Sequence, residues 1–224
     1  MTQYVPQITS MSSIPSDQMS IHQALDLFYQ QNGFAPIQIE QEPCTVSVYN
    51  GCLLVPLPNI QVRHKYLKYH DLHHILTGYS VGRIGEGEVS AWELGTGSMF
   101  NHPILGIMNL IALSTGFFLK PKRMWMAFQR GVYSRNLYAL TTRQWIHTHG
   151  ESNINDLKQR HLGDDSIKTI HFYRYLEFVI YVLLALLIHV IVVIPALIVR
   201  IVSYLVAAES FIKAIQPKKR TDLY

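Results

Sequence analysis

The sequence predicts an all-α protein: a helical bundle with a metal site between two helices and a long hydrophobic C-terminal helical region. Three observations predict it. Apolar residues recur at helical spacing through much of the chain. A histidine-rich helical segment is followed, across a glycine-rich link, by a segment carrying three glutamates. Residues 178–199 form a run without a single Asp, Glu, Lys or Arg.

Composition narrows the class. The chain has 224 residues, enough for one sizeable domain or two small ones. Apolar residues make up 49 %, which excludes global disorder. Charged residues make up only 15 %, against about 25 % in ordinary soluble domains, so part of the surface is expected to meet lipid or a partner. The net charge of +4 comes without a dense Lys/Arg stripe among aromatics, and nucleic acid is not an expected partner. Cys44 and Cys52 make neither a disulfide framework nor a zinc finger, and two reduced thiols are expected. The first twenty residues lack a basic start and an apolar core, so no secretory signal is read and a cytoplasmic start is expected.

Taken in order, residues 1–19 read as a flexible arm, 20–165 as a helical metal- and lipid-binding domain, and 166–224 as a hydrophobic membrane-associated tail. Ser20 is a candidate N-cap for a helix to about Gln31, with Ile21, Ala24, Leu25 and Phe28 on one face and Asn32-Gly33 as its stop. Residues 34–60 read as loop with one short hairpin at Asn50-Gly51. A helix is expected over 61–77, broken by Gly78, Gly82, Gly85 and Gly87. The next begins near Glu86 and ends at Gly95 or Gly97. Pro103 opens an almost wholly apolar helix over 104–119, and Pro121 ends it. Further helices are expected over 124–138, 141–149 and 153–162. The run 178–199 would extend about 33 Å as a helix, enough to cross a hydrocarbon core of about 30 Å. It continues as 201–215, and Lys218, Lys219 and Arg220 form a basic cluster beyond it. The tail suits either a membrane or a dimer interface, and a homo-oligomer is expected.

The densest set of ligand-type side chains is His70-Asp71-Leu72-His73-His74. On a helix His70 and His74 lie one turn apart on one face, the spacing that lets two imidazoles hold one metal. Asp71 and His73 are each rotated about 100° from a neighbouring member of that pair. The glycine-rich link lets the chain reverse, so that Glu86, Glu88 or Glu93 can complete the set. Two imidazoles with carboxylates suit a divalent metal ion: zinc, iron, manganese or cobalt, or magnesium in a more oxygen-rich shell.

The string His70-Asp71-x-x-His74, eleven residues, then Glu86 resembles the signature of the fourth Coq protein family of ubiquinone (coenzyme Q) biosynthesis. Leu76 and Gly78 resemble the L-x-G after its second histidine, and Gly85-Glu86 its Gly-Glu pair. Trp92-Glu93, Gly97, Arg130-Gly131, Leu137-Tyr138 and the stretch 157–163 are similar to its later half more loosely. The likeness covers about residues 20–164, and the tail goes beyond it. The resemblance implies that His70, Asp71, His74 and Glu86 are the metal ligands. It implies an all-helical protein on the inner, cytoplasmic or matrix-like face of an energy-coupling membrane, working with other quinone-biosynthesis enzymes. The implied ligand is a long-chain prenyl lipid or prenylated aromatic acid. The implied role is either metal-dependent oxidative decarboxylation of a prenylated 4-hydroxybenzoate (a lyase-type step) or a non-catalytic scaffold that organises the biosynthetic complex.

Arg83, beside the ligands, is a candidate partner for an anionic headgroup. Met108, Phe117 and Trp125 are candidates for a groove that takes the prenyl chain, or ordinary core. His189 inside the apolar run would be expensive in lipid and points to a partner or an interfacial position. A His-Asp phosphohydrolase reading would draw on His64 and one of Asp156, Asp164 or Asp165, and the eleven-residue spacer to Glu86 argues against it.

Overall fold

The computed structural model describes residues 19–34, 45–50, 53–58, 60–163 and 170–205. Residues 1–18 of the expected arm, both cysteines, Asp164, Asp165 and the chain after 205, including the basic cluster, lie outside the described residues, while Met19 is placed, its carbonyl accepting from the Ile154 N–H. In chain order the elements are α1 (Ile21–Asn32), β1 (Thr45–Asn50), β2 (Leu53–Pro58), α2 (Gln61–Thr77), α3 (Arg83–Gly95), α4 (Ser98–Asn101), α5 (Pro103–Leu119), α6 (Pro121–Val132), α7 (Leu140–Thr148), α8 (Ile154–His161) and α9 (Phe172–Leu205). The fold is a helical bundle with one antiparallel hairpin laid against α5 and α9. Asn50 pairs with Leu53 at the end of the hairpin, and the turn itself lies outside the described residues.

α3 is the hub. Of its residues only Arg83 and Glu86 escape burial. One side of the helix meets α2. The other meets α5 and α6, with α9 laid along α5. Two large apolar cores and a small third one, of Tyr66, Leu105 and Tyr138, are formed among the described residues. Ile84, Trp92, Leu94, Leu110, Leu113, Met124 and Phe128 join Phe178, Tyr181, Val182 and Ala185 of α9 in the first. Ile21, Leu25 and Phe28 of α1 join Leu72, Ile75 and Leu76 of α2, with Leu137, Ile146, Ile154 and Leu157, in the second. The polar faces of α2 and α3 meet between them.

The local chemistry follows the sequence at most helix ends. Ser20 caps α1 through a reciprocal capping box with Gln23, and Gly33 closes it in the left-handed region at φ 63°. Gly78 closes α2 in the same way at φ 77°. Three expectations need correction. α3 starts at Arg83, not near Glu86, because Gly85 and Gly87 lie inside the helix. They are sites of close approach: a Cβ on Gly87 would stand 2.7 Å from the Gly116 Cα of α5. Pro121 opens α6 as well as ending α5, since its missing N–H costs nothing in a first turn. α6 stops at Val132 rather than continuing to Tyr138. Gly131 lies hard against the Trp92 carbonyl, and the irregular segment 133–139 that follows turns inward to the polar layer.

α9 runs for 34 residues, about 51 Å. Its start is fixed to the C-terminal end of α3. There Arg174 donates to the Gly95 carbonyl and pairs with Glu177, a cation where the helix dipole favours one. Phe178 and Tyr181 then lie against Phe128, and Trp125 against Tyr175 and Phe178. Further along, His189 meets Ser114 at 3.2 Å and Phe118 at a 4.9 Å ring separation. The stretch Phe172–Pro195 contains an 18-residue window of mean hydropathy 2.9 and is long and apolar enough to cross a membrane. Its outward side shows Leu176, Ile180, Leu183, Leu187, Val190 and Ile194.

Candidate metal centre

α2 supplies the imidazoles. His70 and His74, four residues apart, place their rings 5.0 Å apart and nearly perpendicular. Phe28 of α1 stacks on the His74 ring at 5.9 Å. α3 supplies Glu86 from its first turn, where the helix dipole favours a carboxylate. Its Oε2 lies 3.3 Å from His70 Nε2 and 3.6 Å from His74 Nε2. Ligand atoms of His70, His74 and Glu86 all fall within 4.8 Å of one another, so the trio could hold a metal ion.

The protons say which lone pairs such an ion would meet. His74 Nδ1 lies 3.0 Å from the Tyr79 carbonyl. A carbonyl only accepts, so this nitrogen carries the proton and Nε2 carries the lone pair. That Nε2 is buried and has no hydrogen-bond partner. His70 Nδ1 donates to Glu93 Oε1 at 2.8 Å, which aims its Nε2 at Glu86. Both histidines thus turn Nε2 to the same carboxylate. The His74 side chain is 1 % exposed, His70 21 % and Glu86 37 %, so the trio opens outward on the Glu86 side. Burial works against a His70 imidazolium, but Glu93 and Glu86 outweigh it and raise its pKa well above the ordinary value. Burial likewise opposes the Glu86 carboxylate, and His74 and His70 outweigh it and hold its pKa low.

A second group, His70, His73 and Glu93, meets the same 4.8 Å criterion. Its hydrogen bonds give it another character. The Leu137 N–H donates to His73 Nε2 at 2.9 Å, so His73 carries its proton on Nδ1 and gives it to Glu93 at 2.6 Å. Tyr138 Oη donates to the same Glu93 oxygen at 2.7 Å, and Asn109 Nδ2 donates to the other at 2.8 Å. Both His73 nitrogens are engaged, and a cation here would have to displace bonded protons. The carboxylate is wholly buried. Burial alone would raise its pKa, and the charge of His70 with the hydrogen bonds from His70 and His73 brings it below the ordinary range instead. Burial lowers the His73 pKa, in keeping with a neutral ring.

The structure gathers His70, His74 and Glu86 as the motif places them. Asp71 stands outside the trio and accepts from the Tyr29 hydroxyl at 3.1 Å. Burial raises its pKa, and the nearby His70 and His74 offset part of that. Arg83 is the first residue of α3, one turn before Glu86. Met108, Phe117 and Trp125 do not converge: Met108 packs with Tyr66, Leu105 and Tyr138, while Phe117 and Trp125 pack in the core shared with α9. Sequence reasoning gave no role to Tyr29, Asn109 or Tyr138 and weighed Glu93 only as a rival of Glu86. One signal was available. Glu86 and Glu93 are seven residues apart, two helical turns, and so share the α3 face toward α2.

With these positions established, comparison with protein-family models, curated proteins and solved structures returns no match.

Proposed function

We propose that the chain is a divalent-metal-binding protein of ubiquinone-type quinone biosynthesis, acting on a prenylated 4-hydroxybenzoate by oxidative decarboxylation at a membrane. The observation that carries the reading is the trio itself: two imidazoles anchored through Nδ1, both aiming Nε2 at the carboxylate of Glu86. The spacing of these residues is that of the resembling family's motif. Three protein ligands leave coordination positions open, which favours a reactive centre over a purely structural one, and two imidazoles with one carboxylate suit iron or manganese as well as zinc. A bound divalent cation supplies Lewis acidity toward an anionic oxygen of the ring. The chain's own part is to fix His70 and His74, to keep the Glu86 side open, and to set Arg83 one turn from Glu86 as a partner for the substrate's negative group. Asp71, held by Tyr29, is a further oxygen donor near the trio.

α9 supports the membrane half of the reading. Its apolar outward side would hold the domain where a prenyl chain is found, in the company of other enzymes of the same route. The same helix favours a second reading, a lipid-bound scaffold without turnover. The two separate in one assay. Protein loaded with iron(II), manganese(II) or zinc(II) is mixed with a prenylated 4-hydroxybenzoate and oxygen. Release of carbon dioxide with ring hydroxylation is the expected result, one water being consumed and oxygen leaving as hydrogen peroxide, and it should be absent in His74→Ala. Metal uptake unchanged by His74→Ala would remove the site. Uptake without product from any of the three metals would leave the scaffold.

A further inference from the structure

The buried polar layer holds a group that the trio does not need as a ligand. Glu93 is two turns beyond Glu86 on α3, has no solvent exposure, and takes hydrogen bonds from four side chains on three other parts of the chain: His70 and His73 on α2, Asn109 on α5, and Tyr138 in the segment after α6. Three of the donors meet on Oε1, and the fourth holds Oε2. A carboxylate so bound cannot swing to chelate a cation beside Glu86. What it can do is act through His70. The Glu93–His70 contact decides which imidazole nitrogen is left for a metal and how the ring is turned.

We propose that Glu93 is the positioning residue of the metal centre: its carboxylate holds the His70 proton on Nδ1, presents Nε2 to the ion, and ties that ligand to the 133–139 segment through His73 and Tyr138. The inference rests on the metal-binding reading above. It follows from general behaviour of metal-bound imidazoles, whose second nitrogen is usually held by a carboxylate or carbonyl and whose affinity falls about 10–100-fold when that partner is lost. His74 has a backbone carbonyl in the same place, from Tyr79. The two ligands therefore differ in what holds them, and only one can be loosened by changing a side chain.

The test uses cobalt(II) as the probe, with the full chain. In cobalt-loaded wild-type protein, two exchangeable, hyperfine-shifted imidazole N–H proton resonances are expected, one each from His70 and His74. In Glu93→Gln the stoichiometry should stay at one ion, with affinity about 10–100-fold lower. One of the two N–H resonances should shift or exchange away while the other keeps its position. Unchanged affinity would overturn the proposal. So would equal disturbance of both resonances, which marks a merely structural role. Should Glu93→Gln fail to fold, Glu93→Asp takes its place: a shift confined to one of the two N–H resonances supports the proposal, and an unshifted pair overturns it. Wild-type protein that takes up no cobalt overturns this inference together with the reading it rests on. Uptake that His74→Ala abolishes and Glu93→Gln leaves untouched overturns this inference alone.

Discussion

The two sides of α3 solve opposite problems with one helix. Toward α5 and α6 the helix is mostly apolar, its polar contacts there including the Glu88–Arg123 ion pair and the Glu93–Asn109 hydrogen bond. It approaches its neighbours through Gly87, Gly95 and the facing Gly116 and Gly131, and fills the space left with Trp92, Leu94 and Ile84. Toward α2 it is polar, with Glu86 and Glu93 engaged by histidines. An apolar contact is stabilised by close packing and is indifferent to solution conditions. A buried polar contact is stabilised only while every partner keeps its proton in place. The apolar side should therefore govern whether the protein folds, and the polar side what the folded protein binds and at which pH.

The sharpest way to break this division is Phe128→Ala, on α6 in the apolar core against α3. The side chain is fully buried, and its loss should cost about 3–5 kcal/mol. Urea unfolding of metal-free protein would show it, while cobalt affinity of the folded fraction should stay within a few-fold. A collapse of affinity would mean that the two sides are not separable. Gly131→Ala comes next, at about 2–3 kcal/mol, because the new Cβ falls on the Trp92 carbonyl and neither backbone can yield easily. It should lower the unfolding midpoint without altering metal stoichiometry.

The pH dependence of metal-free protein tests the polar side. Glu93 has a depressed pKa, so its contribution is present above the ordinary glutamate value of about 4.3 and is lost as pH falls toward the folded value. His70 has a raised pKa, so its contribution is present below the ordinary histidine value of about 6.5 and is lost as pH rises through the folded value. Stability against urea should therefore be greatest between those two values and fall on both sides. A bound cation takes the place of the His70 Nε2 proton, and the alkaline fall should flatten in metal-loaded protein. A profile that is level across the range would show that the histidine–glutamate contacts contribute nothing to folding. The smallest effect belongs to Tyr29→Phe, which removes one hydroxyl from Asp71 and should cost about 1 kcal/mol by thermal or urea unfolding.

The helices were legible wherever local chemistry decides them. Ser20, Gly33 and Gly78 mark ends that the structure places within a residue. Legibility failed where a residue serves a distant neighbour. Gly85 and Gly87 read as breakers because a glycine that allows a turn and one that admits another backbone look the same in a sequence. The segment 133–139 has no signal telling it to leave the helix, since its reason is the reach of Leu137 and Tyr138 to His73 and Glu93. At the candidate site the spacing within α2 was enough to pair His70 with His74. Choosing Glu86 over Glu88 and Glu93 from residues alone was not possible, because which glutamate meets the imidazoles depends on how two helices cross. In the structure Glu88 faces the other way, paired with Arg123 at 2.6 Å.

That Glu86 and Arg83 are the sole openings in an otherwise sheathed helix has a kinetic corollary. An ion seated by the trio can be reached from outside by a chelator without any global opening of the bundle. Stripping should run at the pace of ligand exchange, in the same molecules whose Trp92 and Glu93 amides stay protected from deuterium for as long as the fold survives.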